Sequence, residues 1–287
     1  MQPDHMLAGR PAPTWQLVWW AARRASRGYL KTAELAAMSY IGDSPLFLLD
    51  YLLRLLRVAV LLGIWHELLA SRAGQTGIAG LDGAAVLTYT LIAAVFAEPL
   101  AGRTELKTSL WDGTIANRLT RPMGIVGQFA AESIGRWSLN LALFSLSLLL
   151  AAPLLGVNPA PASLLAGALF VPSLALAITV GLAVEFIFGA LMAIAEQNIW
   201  LIENLRSALE TLLTGALLPL AVLPWGLGDI FGWLPFAAMA SAPLRIYTAS
   251  GEALPLLALQ AGWAIVLWVL AGWLWTAHRE KLASYGG

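Results

Sequence analysis

Residues 110–123 read LWDGTIANRLTRPM, a polar and charged island between long blocks of Leu, Ala, Val and Trp. Such a stretch is too polar for hydrocarbon, so the apolar blocks on either side must reach the membrane surface beside it. Asp112-Gly113 is a turn signal that breaks a helix arriving from the N-terminal side, and Thr114 is suited to cap a new one. Ile115 and Leu119 then share a face, Arg118 and Arg121 project elsewhere, and Pro122 prevents continuation. The pattern predicts a helix of about two turns over 114–121, outside the bilayer. Its plainer reading is a basic loop on the positively charged side of a membrane protein.

Composition makes the membrane setting firm. Of 287 residues 59% are hydrophobic and 12% charged, with mean hydropathy +0.73, whereas soluble domains carry roughly a quarter charged residues. The length allows about six spans of ~20 residues and leaves no room for a sizeable soluble domain. A formal net charge of zero gives no basis for a nucleic-acid partner. Cysteine is absent, which excludes disulfides, Cys-ligated zinc and thiol catalysis. The first residues lack a signal-peptide pattern, so Met1 is expected to belong to the working protein.

Spans are expected at 46–69, 84–100, 137–157, 163–194, in the stretch ending near Pro224, and at 253–276. Before them, residues 15–43 read as an amphipathic elbow: Trp15, Val18, Trp19, Ala22, Tyr29, Ala33, Ala37 and Tyr40 share one helical face, with Arg23, Arg24, Arg27 and Lys31 mostly on another. A helix packed on the rest of the protein is the alternative. Ser44-Pro45 supplies the start signal for the first span. Thirteen of the seventeen Lys and Arg fall in the segments joined to the island's side, two on the other side (Arg72, Arg245) and two within the first span. The positive-inside rule therefore makes the island, both termini and the tail 277–287 cytoplasmic.

Charged residues inside the spans are the candidates for a substrate pathway. Asp50, Arg54 and Arg57 lie on one stripe of the first span, and each costs about 2.5–3.5 kcal/mol at the centre of a lipid-facing helix. They must face protein, water or headgroups; an Asp50–Arg54 pair with Arg57 snorkelling is the simplest arrangement. Glu98 and Glu185 are the carboxylates near the ends of the second and fourth spans. Glu196, Glu203 and Glu210 recur every seven residues, which reads as a solvated acidic face carrying pairs with Arg206 or as a lure for cations. Pro219 sits four residues after Gly215, a spacing that tolerates a kink within the fifth span. The apolar piece from Ile230 to Ala240 is about half a bilayer long, so it dips in and returns or lies at the interface, where Trp225 and Trp233 would anchor it. No GxxxxGK[ST], HExxH or GxSxG occurs, and the histidines are scattered, so a nucleotide loop or enzyme site is not expected on this chain.

The G-x-I-x-x-x-L-x-R-P run at Gly113 to Pro122, the G-x-L-x-P-x-x-x-x-P run at Gly215 to Pro224, the Leu234-Pro235-Phe236 that follows, the basic elbow and a terminal Gly-Gly together resemble ABC-2 type permeases, most closely the bacterial ones encoded in pairs beside a separate ATPase. The resemblance implies an all-α membrane protein, one transmembrane domain over 1–287. Its parts would be the elbow (15–43), a six-span bundle (46–276), a cytoplasmic coupling helix, an external re-entrant segment and the tail (277–287). It implies ATPase coupling through Asp112, Gly113, Thr114, Asn117, Arg118 and Arg121, and an external gate including Pro219, Pro224, Trp225, Pro235 and Phe236. It also implies a second permease subunit, cytoplasmic ABC ATPase subunits that hold ATP and Mg while this chain holds no cofactor, and the bacterial inner membrane. The function so implied is export of a hydrophobic, amphipathic or cationic small molecule by alternating access. The competing readings are an ion-coupled carrier using Glu98 or Glu185 as a proton relay, and a scaffold of a membrane complex.

Overall fold

The apolar blocks fold as helices in the computed structural model, which describes residues 26–39, 47–71, 77–78, 81–195 and 198–278. In chain order these are α1 (26–39), α2 (Phe47–Ala70), α3 (Gly83–Val95), α4 (Ala97–Ala101), α5 (Leu106–Trp111), α6 (Ile115–Leu119) and α7 (Ile125–Asn140), with α7 continuing through a widened turn into α8 (Leu146–Ala151). Then come α9 (Leu164–Ala195), α10 (Ile199–Leu213), α11 (Leu227–Gly232), α12 (Pro235–Met239), α13 (Ser241–Tyr247) and α14 (Ala253–Ala277). Between α2 and α3, β1 (Gly77–Ile78) and β2 (Leu81–Asp82) pair antiparallel with Gly77 opposite Asp82. The first part of the expected elbow, Glu196 and most of the tail lie outside the described residues.

The long block 164–195 is apolar on all sides, which is the pattern of a helix surrounded by protein or lipid. α9 is accordingly the hub: α14 runs along it, and α4, α5, α10, α12 and α13 also pack on it. Among the described residues three helices, Ile125–Leu155, Leu164–Ala195 and Ala253–Ala277, are long and apolar enough to cross a membrane; they overlap the third, fourth and sixth expected spans, the first of them beginning well before position 137, inside the stretch expected to be polar. The chain is an all-α membrane protein. α2 has the length, at 24 residues, but carries Asp50, Arg54 and Arg57; α3 and α4 are separated by a bend at Phe96.

The fifth expected span is corrected. α10 is 15 residues long and stops at Leu213, so Gly215 and Pro219 do not kink a helix; they lie beyond its end. Gly215 takes φ 73°, a left-handed conformation that ends helices and that a side chain disfavours. The polar groups released there find partners inside the protein: the Ser241 amide donates to Thr214 O at 2.9 Å and the Tyr89 hydroxyl to Gly215 O at 2.8 Å. A broken helix at membrane depth needs this kind of satisfaction.

The described part of the expected elbow, α1, packs against α7. Its half-buried stripe, including Tyr29, Ala33 and Ala37, packs on α7 through two glycines, while Leu30, Leu35 and Met38 on other sides are 66–69% exposed. A Cβ at Gly135 would lie 2.0 Å from Ala33 O, a backbone atom that can only yield if the helix moves. Gly135→Ala is therefore expected to pry α1 off α7, at a cost of about 1–3 kcal/mol. Because the chain has no cysteine, a single Cys at Thr32 reports this directly: maleimide labelling rises in the alanine variant, and unchanged labelling would refute the tight crossing.

Candidate functional site

The island is held by burial at both ends. Leu106, Leu110 and Ile115 are 0–1% exposed and pack with Phe129 of α7 and Phe186 of α9; burying a side chain of that size contributes about 1.5–3 kcal/mol. Its helix is shorter than expected, five residues (Ile115–Leu119), and the capping differs. Thr114 does not cap it. Instead Asp112 Oδ1 accepts from the Thr114 amide at 3.0 Å and hydroxyl at 2.7 Å, closing the turn at Gly113 (φ 74°). Those two donors hold the Asp112 carboxyl below the usual carboxylate range. The turn's share of stability is thus complete above the ordinary pKa of about 4 and is lost only as pH falls through the lower folded value.

Ile115 and Leu119 do not share a buried face, since Leu119 is 45% exposed. Arg118 also faces inward: it pairs with Glu132 at 2.6 Å and lies 4.5 Å from the Phe129 ring, while Gln128 Nε2 donates to its carbonyl at 2.9 Å. The exposed surface of the island consists of Trp111, Asp112, Thr114, Asn117, Leu119, Thr120, Arg121 and Pro122. Trp111 meets Trp200 of α10 edge-on at 6.0 Å, and Lys107 stands over that second ring.

Behind the island lies a six-membered charge network. Arg103 donates to Glu203 (2.8 Å), Glu210 (2.5 Å) and Ser207 (2.9 Å). Arg206 pairs with Glu210 at 2.7 Å and with Glu185, whose other oxygen accepts from the Thr104 amide and hydroxyl at 3.0 and 2.8 Å. Lys107 reaches Glu203 at 3.7 Å. Burial pulls the Arg103 pKa down, but the hydrogen bonds and charges of Glu210 and Glu203 outweigh it and hold the guanidinium above its ordinary value. The acidic stripe is therefore not a solvated face: Glu203 and Glu210 are 8% and 9% exposed and are neutralised from within.

Beyond Glu210 opens a half-enclosed cavity of about 590 Å³ between α2, α3, α4 and the end of α10, within the range of small-molecule sites. It unites four of the five pathway candidates. Arg54 bridges Asp50 at 2.8 Å and Glu98 at 2.7 Å, and Arg57 lines the same wall. Glu185 is not among the lining residues; it belongs to the network below. The floor is apolar, with Val58, Leu61 and Phe144, and Glu210 is shared by cavity and network.

The proposed gate residues part company. Pro219 is buried, Pro224 exposed, and Trp225 is 90% exposed with φ 60°, a conformation that costs a non-glycine residue about 1–3 kcal/mol. Pro235 opens α12 and Phe236 packs with α9 and α14 residues. Ala237 to Leu244 are all buried, so the break between α12 and α13 is enclosed in protein. Gln260 of α14 ties it there, donating to Ala238 O (2.9 Å) and Ser173 O (3.1 Å) and accepting from Ser173 Oγ (2.7 Å). Sequence reasoning missed Gln260, although a lone amide in an apolar helix is the signal for it. It also missed Arg103, which no local pattern marks.

No curated protein and no solved structure matches the chain. A sequence model of the ABC-2 family transporter proteins matches residues 76–286. With that match over most of its length, joined to apolar helices that wrap a charged cavity, the chain belongs to the ABC-2 transporter family as a membrane-embedded permease.

Proposed function

We propose that this chain is the permease subunit of an exporter in the bacterial inner membrane, powered by a separate ABC ATPase that binds the island. The family match carries the reading, and three features of the molecule support it. The island's exposed face sits on a rigid base, so a push on Asn117, Thr120 or Arg121 is transmitted rather than absorbed. α5 leads from that base to Lys107 and Arg103, which grip α10 through Glu203 and Glu210. Glu210 in turn lines the cavity, so force at the island has a short path of ion pairs to the substrate space.

In this reading α2, α3–α4 and α10 complete six spans with the three long helices, both termini are cytoplasmic, and α11 to α13 close the external end. α2 borders a second permease subunit, and its charged stripe is kept from lipid by facing the cavity. The proton-carrier alternative loses ground because Glu98 and Glu185 are each engaged by an arginine.

Inside-out vesicles carrying the chain with its ATPase test the energy source. Accumulation of a fluorescent amphiphile should require ATP hydrolysis and persist when an ionophore dissipates the proton gradient. Accumulation that collapses with the ionophore while ATP remains would overturn the assignment.

A further inference from the structure

We infer that the cavity takes an amphiphile with an anionic head, a phosphate or carboxylate set on Arg57 and an apolar chain lying along α2. This rests on the permease reading above and narrows its substrate. The charge inventory of the cavity is the first support. Arg54 is shared by Asp50 and Glu98, and Glu210 is held by Arg103 and Arg206. Arg57 is the one charged lining residue without an ion pair among the described residues. A cationic solute would have to take a carboxylate from an arginine that already holds it, whereas an anion finds a free guanidinium with fork geometry suited to phosphate or carboxylate.

The second support is where Arg57 stands. A shallow groove adjoins the cavity and shares Arg57, Leu61 and Leu217 with it; the rest of its wall is Leu53, Leu56, Val60 and Ile64 of α2, and Arg57 is its sole charged member. These α2 side chains are 53–59% exposed in Leu53, Leu56, Val60 and Ile64. Leu53 to Ile64 covers about 16 Å of helix at ~1.5 Å per residue, about the reach of a twelve-carbon chain. Head site and tail site therefore meet at one residue. An arginine in an apolar span is costly without a counter-charge, and an anionic head supplies one each time the site is occupied.

The test uses the full chain in phosphatidylcholine nanodiscs, corrected against empty discs, with dodecyl phosphate and dodecyltrimethylammonium as paired probes. Dodecyl phosphate is expected to bind about tenfold or more tightly than the ammonium, and Arg57→Gln to remove that preference by the same factor, the scale of a charge-assisted hydrogen bond. Arg57→Lys should retain part of it. Equal binding of the two probes, or undiminished phosphate binding by Arg57→Gln, overturns the proposal. So does a wild-type chain that binds neither probe and whose dimers come apart on Arg57→Gln, because the second copy would then be the counter-charge. Repeating the titration in phosphatidylglycerol discs separates sources: competition assigns the anionic head to resident lipid, and undiminished binding assigns it to a transported solute. Capture of the ATPase by the wild-type chain is scored separately, so failure of ATP coupling leaves the binding result standing, and loss of anion preference leaves the coupling result standing.

Discussion

Arg206→Met should lower the thermal stability of the purified full chain by about 10 °C, from a loss of about 3–5 kcal/mol at 2–4 °C per kcal/mol. Arg206 and Glu185 are each 3% exposed as side chains, and Glu210 is 11% exposed. Removing the guanidinium leaves two buried carboxylates facing one another's field, and only Glu210 has a second cation, Arg103. The penalty is that of an uncompensated charge, not of a missing contact, which the second variant isolates. Glu185→Gln combined with Arg206→Met removes the stranded charge and is expected to recover most of the loss, with the amide still able to accept from Thr104. Melting followed by light scattering and intrinsic fluorescence reads both variants. An Arg206→Met chain within 2 °C of wild type, or a double variant no better than the single, would show that the network does not hold α9 to α10.

That network also marks the limit of what the chain discloses before it is folded. Helix existence is written plainly in the hydropathy of 164–195 and 253–277, because hydrocarbon imposes one solution on long apolar runs. The island is legible for the same reason in reverse, and its turn at Asp112-Gly113 falls where the dipeptide predicts. What local pattern misreads is direction. Arg118 and Arg121 look equivalent in sequence, yet the first turns in to Glu132, fourteen residues later, and the second does not. Glu203, Glu210 and their seven-residue repeat suggest a wet face, since the partner that neutralises them, Arg103, is a hundred positions earlier. Pairing over such separations is set by packing around α9, for which periodicity carries no information. Gly215 shows the same limit: its spacing to Pro219 fits a kink, but the Ser241 amide waiting for Thr214 O makes a helix end the better solution. The cavity candidates fared differently because Asp50, Arg54 and Arg57 follow helical spacing, and only Glu98 had to be brought to them.

Arg121→Glu combined with Asn117→Asp should cut capture of the ATPase by about tenfold or more while leaving the chain in the membrane with wild-type melting. Both residues are exposed on the island, and among the described residues neither side chain has a partner whose loss would loosen the base. Arg118→Glu is expected to fail for a different reason. A carboxylate there would face Glu132 in a site where the present pair is only 14–15% exposed, and it would lose the Phe129 ring as well; Ile115 and Leu110 beneath it would loosen, and melting would fall together with capture. Exchange of charge tells the two apart. Glu132→Arg added to Arg118→Glu rebuilds the pair in reverse and should return both stability and capture, whereas in the proposed docking no change within this chain is expected to rescue Arg121→Glu. The comparison therefore separates two faces of the island, one that fixes it to α7 through Arg118 and Glu132 and one proposed to meet the ATPase. Normal ATPase capture by the Asn117→Asp, Arg121→Glu chain would move the docking surface elsewhere, and a failed rescue at Arg118 would place that guanidinium on the partner's side instead.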